Sequence, residues 1–298
     1  MNVTWHIRTL VTLLAILIHL PATAQEGEGL TIERLSDTIY VLFGDGGNIG
    51  VSAGPDGVFI IDDQLDGDGE MITKAVATLS DLPIDYVLNT HWHWDHAGSN
   101  EFFGHAGSAI IAHDKVRSRL ESGIYFSQRD FDVPPAPKKA LPVITFSDSL
   151  SLHLNGEEVH MFHVAAGHTS GDGIVWFKDS NVVHMGDNFL VGIYPLIDVD
   201  DGGSIEGMIM NIDTVLAFTN DETQVIPGHG AVSDKAGLLA YRELCIVLRD
   251  RITEMKGRGM TIDEMIAAGV TDGLDEAWND WGEDWKMTSI KSLYAAIP

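Results

Sequence analysis

Residues 89–96, NTHWHWDH, carry His91, His93, Asp95 and His96 within six consecutive positions. Imidazole nitrogens and carboxylate oxygens are the ligands that zinc accepts, with iron or manganese tolerated in a carboxylate-containing site. In an extended loop alternate side chains share a side, so His91 and His93 can bind one ion, while Asp95 and His96 turn toward a second. The chain has only 13 histidines in 298 residues, so chance is a poor account of the cluster. By the same alternation Trp92 and Trp94 point away or sideways. At least one is expected to wall a cavity or pack beneath the loop, and neither to take part in bond breaking.

Three further stretches carry ligand-type residues on tight turns after β-rich runs. AAGHTSGD contains His168, HMGDN contains Asp187 and VIPGHG contains His229. Glycine beside each lets the backbone approach an ion closely. His105, His113, His153, His160, His163 and His184 lack a partner motif and are read as structural, His184 least securely because it lies near Asp187. Cys245, the single cysteine, reads as a small buried apolar residue of a helix, and one thiol cannot form an internal disulfide.

The elements that must position these residues alternate along the chain. Glycine-punctuated β-runs at 38–44, 48–54 and 57–63 predict an antiparallel meander, followed by a helix at 69–79 and a strand at 84–90. A strand at 108–113 leads into a helix at 114–122, with Asp114 as its expected N-cap. Residues 123–141 mix Tyr125, Phe126 and Phe131 with prolines, which suits either a lid or a packed surface excursion. Five β-runs follow up to residue 187, then a helix at 204–218, a strand at 223–228 and a helix at 234–256. Trp278, Trp281 and Trp285 fall on one helical face if Gly282 is tolerated, for packing onto the body or for a dimer contact. Strands and helices recurring in two halves predict an α/β sandwich of two mixed sheets.

The ordered set HxHxDH, GHTxGD, GD and PGHG, spanning about residues 30 to 232, resembles the metallo-β-lactamase-fold hydrolases. The resemblance implies an αββα four-layer sandwich. It implies a first metal on His91, His93 and His168, a second on Asp95, His96 and His229, and Asp187 bridging them. Asp62 resembles the buried aspartate that supports the histidine loop. A hydroxide held between two ions would attack a carbonyl, with Asp95 orienting it and carrying its proton. One lactamase branch places cysteine where Asp187 stands and lysine three residues on, where this chain has Leu190. The aspartate resembles the lactonase and thioesterase branches, whereas motif spacing favours a lactamase-like architecture. The expectation is a zinc-dependent dinuclear hydrolase of a cyclic amide or ester, β-lactamase-like, with a lactonase or thioesterase as the alternative and a non-hydrolytic metal or redox accessory protein behind them. Trp92, Tyr125, Phe126, Phe131, Asn188 and Tyr194 are the candidates for its substrate cavity. Counter-ions for an anionic substrate could come from elsewhere, for example Lys115, Arg129, Lys138 or Lys139, though no motif places them at the site.

A formal charge of −26 repels nucleic acid and anionic lipid, so a small-molecule substrate is expected. Residues 1–24 read as a secretory signal peptide: a cationic start, a short apolar run and Ala22-Thr23-Ala24 as a cleavage pattern. The expected mature protein is one exported, periplasmic domain, 25–298, without a membrane span. Composition leaves the oligomeric state open.

Overall fold

The computed structural model describes residues 25–27, 29–127 and 130–298; the proposed signal peptide and Arg129 lie outside them. Strands β1 (Gln25–Gly27), β2 (Leu30–Arg34), β3 (Ile39–Phe43), β4 (Ile49–Gly54) and β5 (Gly57–Ile61) form an antiparallel meander. Helix α1 (Gly69–Val76) crosses to β6 (Ile84–Leu88), parallel to β5. Two short helices, α2 (Trp94–Ala97) and α3 (Asn100–Ala106), precede β7 (Ala109–His113) and α4 (Asp114–Ser122). A hairpin, β8 (Ile124–Phe126) with β9 (Phe131–Val133), is followed by β10 (Ile144–Phe146), which rejoins the first sheet beside β7.

The second sheet orders β11 (Ser149–Leu154), β12 (Glu157–Phe162), β13 (Ile174–Phe177), β14 (Val182–His184), β15 (Gln224–Ile226) and β16 (Ser233–Asp234). Helix α5 (Ile205–Leu216) joins β14 to its parallel neighbour β15. The chain ends in α6 (Lys235–Gly257), α7 (Ile262–Ala267), α8 (Asp275–Trp278) and α9 (Gly282–Ala296).

Strand alternation explains the layers. Val58 and Ile60 of β5 face outward with Val87 of β6 and Ile110 of β7, against Ile72 and Val76 of α1 and Phe103 of α3. Their neighbours Phe59, Ile61, Leu88 and Ile111 face inward, against Val159, Met161, Val175 and Phe177 of the second sheet. The other face of that second sheet packs on α5, α6 and α9 through Ile212, Leu244, Leu248 and Leu293. With period-two side chains, one register places both sets, and a one-residue slip would exchange them. The result is the expected four-layer αββα sandwich. Among the described residues no helix is long and apolar enough to cross a membrane.

Local expectations differ in three places. The cap of α4 is His113, whose ring accepts from Lys115 N; Asp114 is the first helical residue, and its carboxylate accepts from Ser147 Oγ. The described residues of 123–141 include a short two-stranded pairing and a 3-10 turn, where the prolines suggested a loop. The tryptophan face is not one helix: α8 stops at Trp278 and α9 restarts at Gly282, whose φ of +80° is a backbone region that glycine enters without strain. Trp281 therefore sits at the break.

Candidate metal centre

Strand β6 delivers the loop that carries the first four residues. Extended backbone through His93 (ψ 148°) gives way to the single turn of α2, so Asp95 and His96 swing away from His91 and His93. His168 follows β12, Asp187 lies in a 3-10 turn after β14, and His229 follows β15. All seven stand in the segments that follow the ends of sheet strands, where α/β proteins place their sites.

Two groups of side chains could hold metal ions: His91, His93, His168 and Asp187, and Asp95, His96 and His229. Within each group the ligand atoms lie within 4.8 Å of one another. Asp187 reaches both, with Oδ2 3.5 Å from His168 Nε2 and Oδ1 3.1 Å from His96 Nε2 and 3.7 Å from His229 Nε2. Asp95 Oδ2 is 3.2 Å from His229 Nε2. Glycine permits this crowding: a Cβ on Gly228 would stand 1.9 Å from Asp187 Oδ1, and one on Gly47 2.2 Å from the His96 ring.

Hydrogen bonds at the outer ring nitrogens test whether these residues suit a metal. His168 Nδ1 donates to Leu196 O at 2.8 Å, and His93 Nε2 donates to Asp198 Oδ2 at 3.1 Å. In the neutral rings this leaves bare lone pairs on His168 Nε2 and His93 Nδ1, which face each other at 2.9 Å. His96 Nδ1 donates to Asp62 Oδ2 at 2.8 Å, baring its Nε2. Thr90 Oγ1 donates to Asp62 and so accepts from His91 Nδ1. His91 Nε2 is then buried with no hydrogen-bond partner. Converging lone pairs of this kind suit a cation, and outer acceptors of this kind are what orient metal-bound histidines.

The electrostatics agree. Burial holds His91 well below its ordinary pKa, and burial likewise lowers His168. Burial opposes charge on His93 and His96, but facing carboxylates, Asp198 for the first and Asp187 for the second, outweigh it and raise both. Burial also opposes ionisation of Asp187, yet the surrounding imidazoles, His96 foremost, keep its carboxyl well below the usual range. The carboxylates thus draw positive charge into the pocket, which protons, or a metal in their place, would supply.

Asp62 takes up Thr90 N at 2.7 Å besides the His96 and Thr90 side chains, from a left-handed backbone (φ 64°). Strain of that kind persists where surrounding structure enforces it. Sequence reasoning missed two supports. One is Asp198; the other is Asp172 of the GHTSGD turn, which accepts from Thr169 N and Gly167 N and so shapes the loop bearing His168. His184 is buried, accepts from Gly186 N and donates to Asn48 O, outside both groups. Cys245 is buried against Met208, and burial pushes its thiol far up.

The family model of the metallo-beta-lactamase superfamily matches residues 35–229. The chain belongs to that superfamily. Superfamily members are metal-dependent hydrolases, and this chain is one of them with a candidate metal site. It is 24% identical over 243 residues to the metallo-beta-lactamase type 2 of Bacteroides fragilis, covering 75% of this chain and 90% of that one. It is 28% identical over 248 residues to an atrochrysone carboxyl ACP thioesterase of Claviceps purpurea, covering 76% and 72%. The metallo-beta-lactamase from Pontibacter korlensis shares the fold at 16% identity, with a TM-score of 0.58 over 72% of this chain and 98% of that one.

Around this superfamily centre lies a cavity of about 200 Å³ whose lining includes His93, Asp95, Asp187 and His229. Phe126 is the one proposed cavity residue that lines it; Phe131 stands behind, 5.0 Å from Trp94 and 5.8 Å from Phe126. Trp92 is buried beneath the loop with Ala112 and Val116. Tyr125 is exposed and donates to Asp130, Asn188 is buried and accepts from Asn211 Nδ2, and buried Tyr194 donates to Asp275 at 2.6 Å. These four lie outside the cavity: Trp92 by the alternation of its loop, Tyr125 by strand parity with Phe126, and Asn188 and Tyr194 through their hydrogen bonds. The walls come instead from Trp94, Leu65, Leu196, Asp45 and, unforeseen, Trp281 and Trp285. Trp281 meets the His229 ring edge-on at 4.8 Å and Trp285 at 4.6 Å. Lys115, Lys138 and Lys139 do not line it.

Proposed function

We propose that this protein is a dinuclear, zinc-dependent hydrolase that opens a cyclic amide or ester, with an architecture like that of the β-lactamases. The reading rests on Asp187, whose two oxygens face the two ligand groups. His91, His93 and His168 would hold one ion, Asp95, His96 and His229 the other, with Asp187 shared. Bound there, the ions supply Lewis acidity, acidifying water and polarising a carbonyl. The chain does the rest. Asp95, partly exposed to the cavity, takes the proton of the attacking water at its Oδ1 and returns it to the leaving nitrogen or oxygen. The carbon–nitrogen or carbon–oxygen bond breaks as the water oxygen joins the carbonyl carbon. Phe126, Trp94 and Trp281 limit bulk water around the reacting group.

Export to the periplasm belongs to the same proposal and rests on residues 1–24; N-terminal sequencing of the fractionated protein should begin near Gln25. Metal analysis and a panel of nitrocefin, acyl-homoserine lactones and thioesters on metal-replete protein test the activity. Two equivalents of zinc with turnover of at least one ring substrate are expected. Iron with no hydrolysis overturns the proposal. His93→Ala is expected to lose metal and turnover together, and unchanged turnover would sink the ligand assignment.

A further inference from the structure

Outside the proposed ligands, aromatic rings form most of the cavity wall. Trp94 tilts on His93 at 5.6 Å, at the first ligand group, and Trp281 stands on His229, at the second. Phe126 meets Trp94 at 5.7 Å, and Trp285 meets Trp281, so aromatic rings continue along both walls. The charged lining residues outside the proposed ligands reduce to Asp45, which is exposed at the rim, and no described lining residue is Lys or Arg. Trp281 keeps 43% of its surface open at this mouth. The cavity has room for one ring and the scissile group, and it adjoins a second hollow of about 430 Å³ that shares Asp45, His229 and Trp281.

From these features we infer that the cavity recognises an uncharged aromatic ring of its substrate, held against Trp94 and Trp281, and discriminates against a carboxylate on that ring. This rests on the hydrolase reading above. A flat ring finds aromatic edges and faces to stack on. A carboxylate on a ring held at the aromatic walls, away from the ligand groups, would lose water with no Lys or Arg among the described lining residues to pair with and would approach the like charge of Asp45. Trp281 and Trp94 are the specificity-determining residues, and Asp45 is the group that excludes anions.

The test uses metal-replete full-length protein and three homoserine lactones, acylated with phenylacetyl, 4-carboxyphenylacetyl or acetyl groups, with ring opening followed as acid release. The phenylacetyl lactone is expected to exceed the other two in kcat/KM by about tenfold, mainly through KM. Trp281→Ala should shrink the phenylacetyl-to-acetyl ratio about tenfold, and Asp45→Asn should raise the 4-carboxyphenylacetyl rate relative to phenylacetyl. A 4-carboxyphenylacetyl lactone opened as fast as the phenylacetyl one, or an unchanged ratio in Trp281→Ala, overturns the inference. If wild-type protein opens none of the three, the failure lies with the lactone-hydrolysis reading. Ring recognition is then decided by saturation-transfer NMR with phenylacetamide. Ring-proton signals that weaken in Trp281→Ala support it, and their absence in wild type overturns it.

Discussion

Asp198 does for His93 what Leu196 O does for His168: it takes the ring proton at the outer nitrogen and leaves the inner one bare. Asp198→Asn keeps the size but loses the charge that favours this arrangement. Metal affinity is expected to fall about 10–100-fold, read by competition with a chromogenic chelator; unchanged affinity would remove Asp198 from the positioning set. The residue was not legible in LIDVDD, where Asp198, Asp200 and Asp201 alternate and nothing marks the one that faces His93. The two others have separate tasks, Asp200 binding Ser127 and Asp201 pairing with Arg119. His91, His93, His168, Asp187 and His229 were legible as a set because each stands where a β-run ends in a turn. Tyr194 and Asn188 misled because proximity in sequence to Asp187 does not say which way a side chain points.

Among the elements, strands declared themselves best. Apolar pairs such as Phe59–Ile60 and Val87–Leu88 serve two layers at once, so runs buried on both faces read plainly as strands. The break between α8 and α9 did not, because the tryptophan spacing fits a continuous helix and only the conformation at Gly282 interrupts it. Turns impose their own demands. Gly228→Ala is expected to displace the Asp187 carboxylate and halve metal content or worse, with circular dichroism unchanged. Gly257 ends α6 in open space, and Gly257→Ala there should leave metal content alone while stabilising the fold by about 0.4–1 kcal/mol. Equal metal loss in both variants would show that the crowding at Gly228 is not what matters.

Across the whole molecule, the site joins its two halves. The first sheet's half supplies His91, His93, Asp95 and His96, and the second's supplies His168, Asp187 and His229, so metal bound as proposed would tie the halves together. Stripping metal with a chelator should lower Tm, because a ligand at a thousandfold its Kd adds about 4 kcal/mol to folding; equal melting of stripped and loaded protein by calorimetry would contradict this. The C-terminal segment has its own clamp, in which Tyr194 Oη and Lys286 Nζ donate to Asp275 at 2.6 and 2.9 Å. Partial burial opposes ionisation of Asp275, but these donors hold its carboxyl below the ordinary value. Its contribution to stability is therefore complete above the unfolded carboxylate range, about pH 4, and is lost as pH falls through the lower folded value. Proteolysis of α9 should rise across that acid interval in wild type and already be raised at neutral pH in Asp275→Asn, where the acid dependence should flatten.

The superfamily match ends at His229, the last of the proposed ligands, whereas Trp281 and Trp285 arrive some fifty positions later. If the ring reading holds, part of the appetite is thus written beyond the stretch that carries the proposed ligands, while Trp94 and Asp45 lie within it. Remodelling the tail would then shift the diet through Trp281 and Trp285 and leave the proposed ligands untouched, and grafting a related tail onto this body is a direct route to altered selectivity.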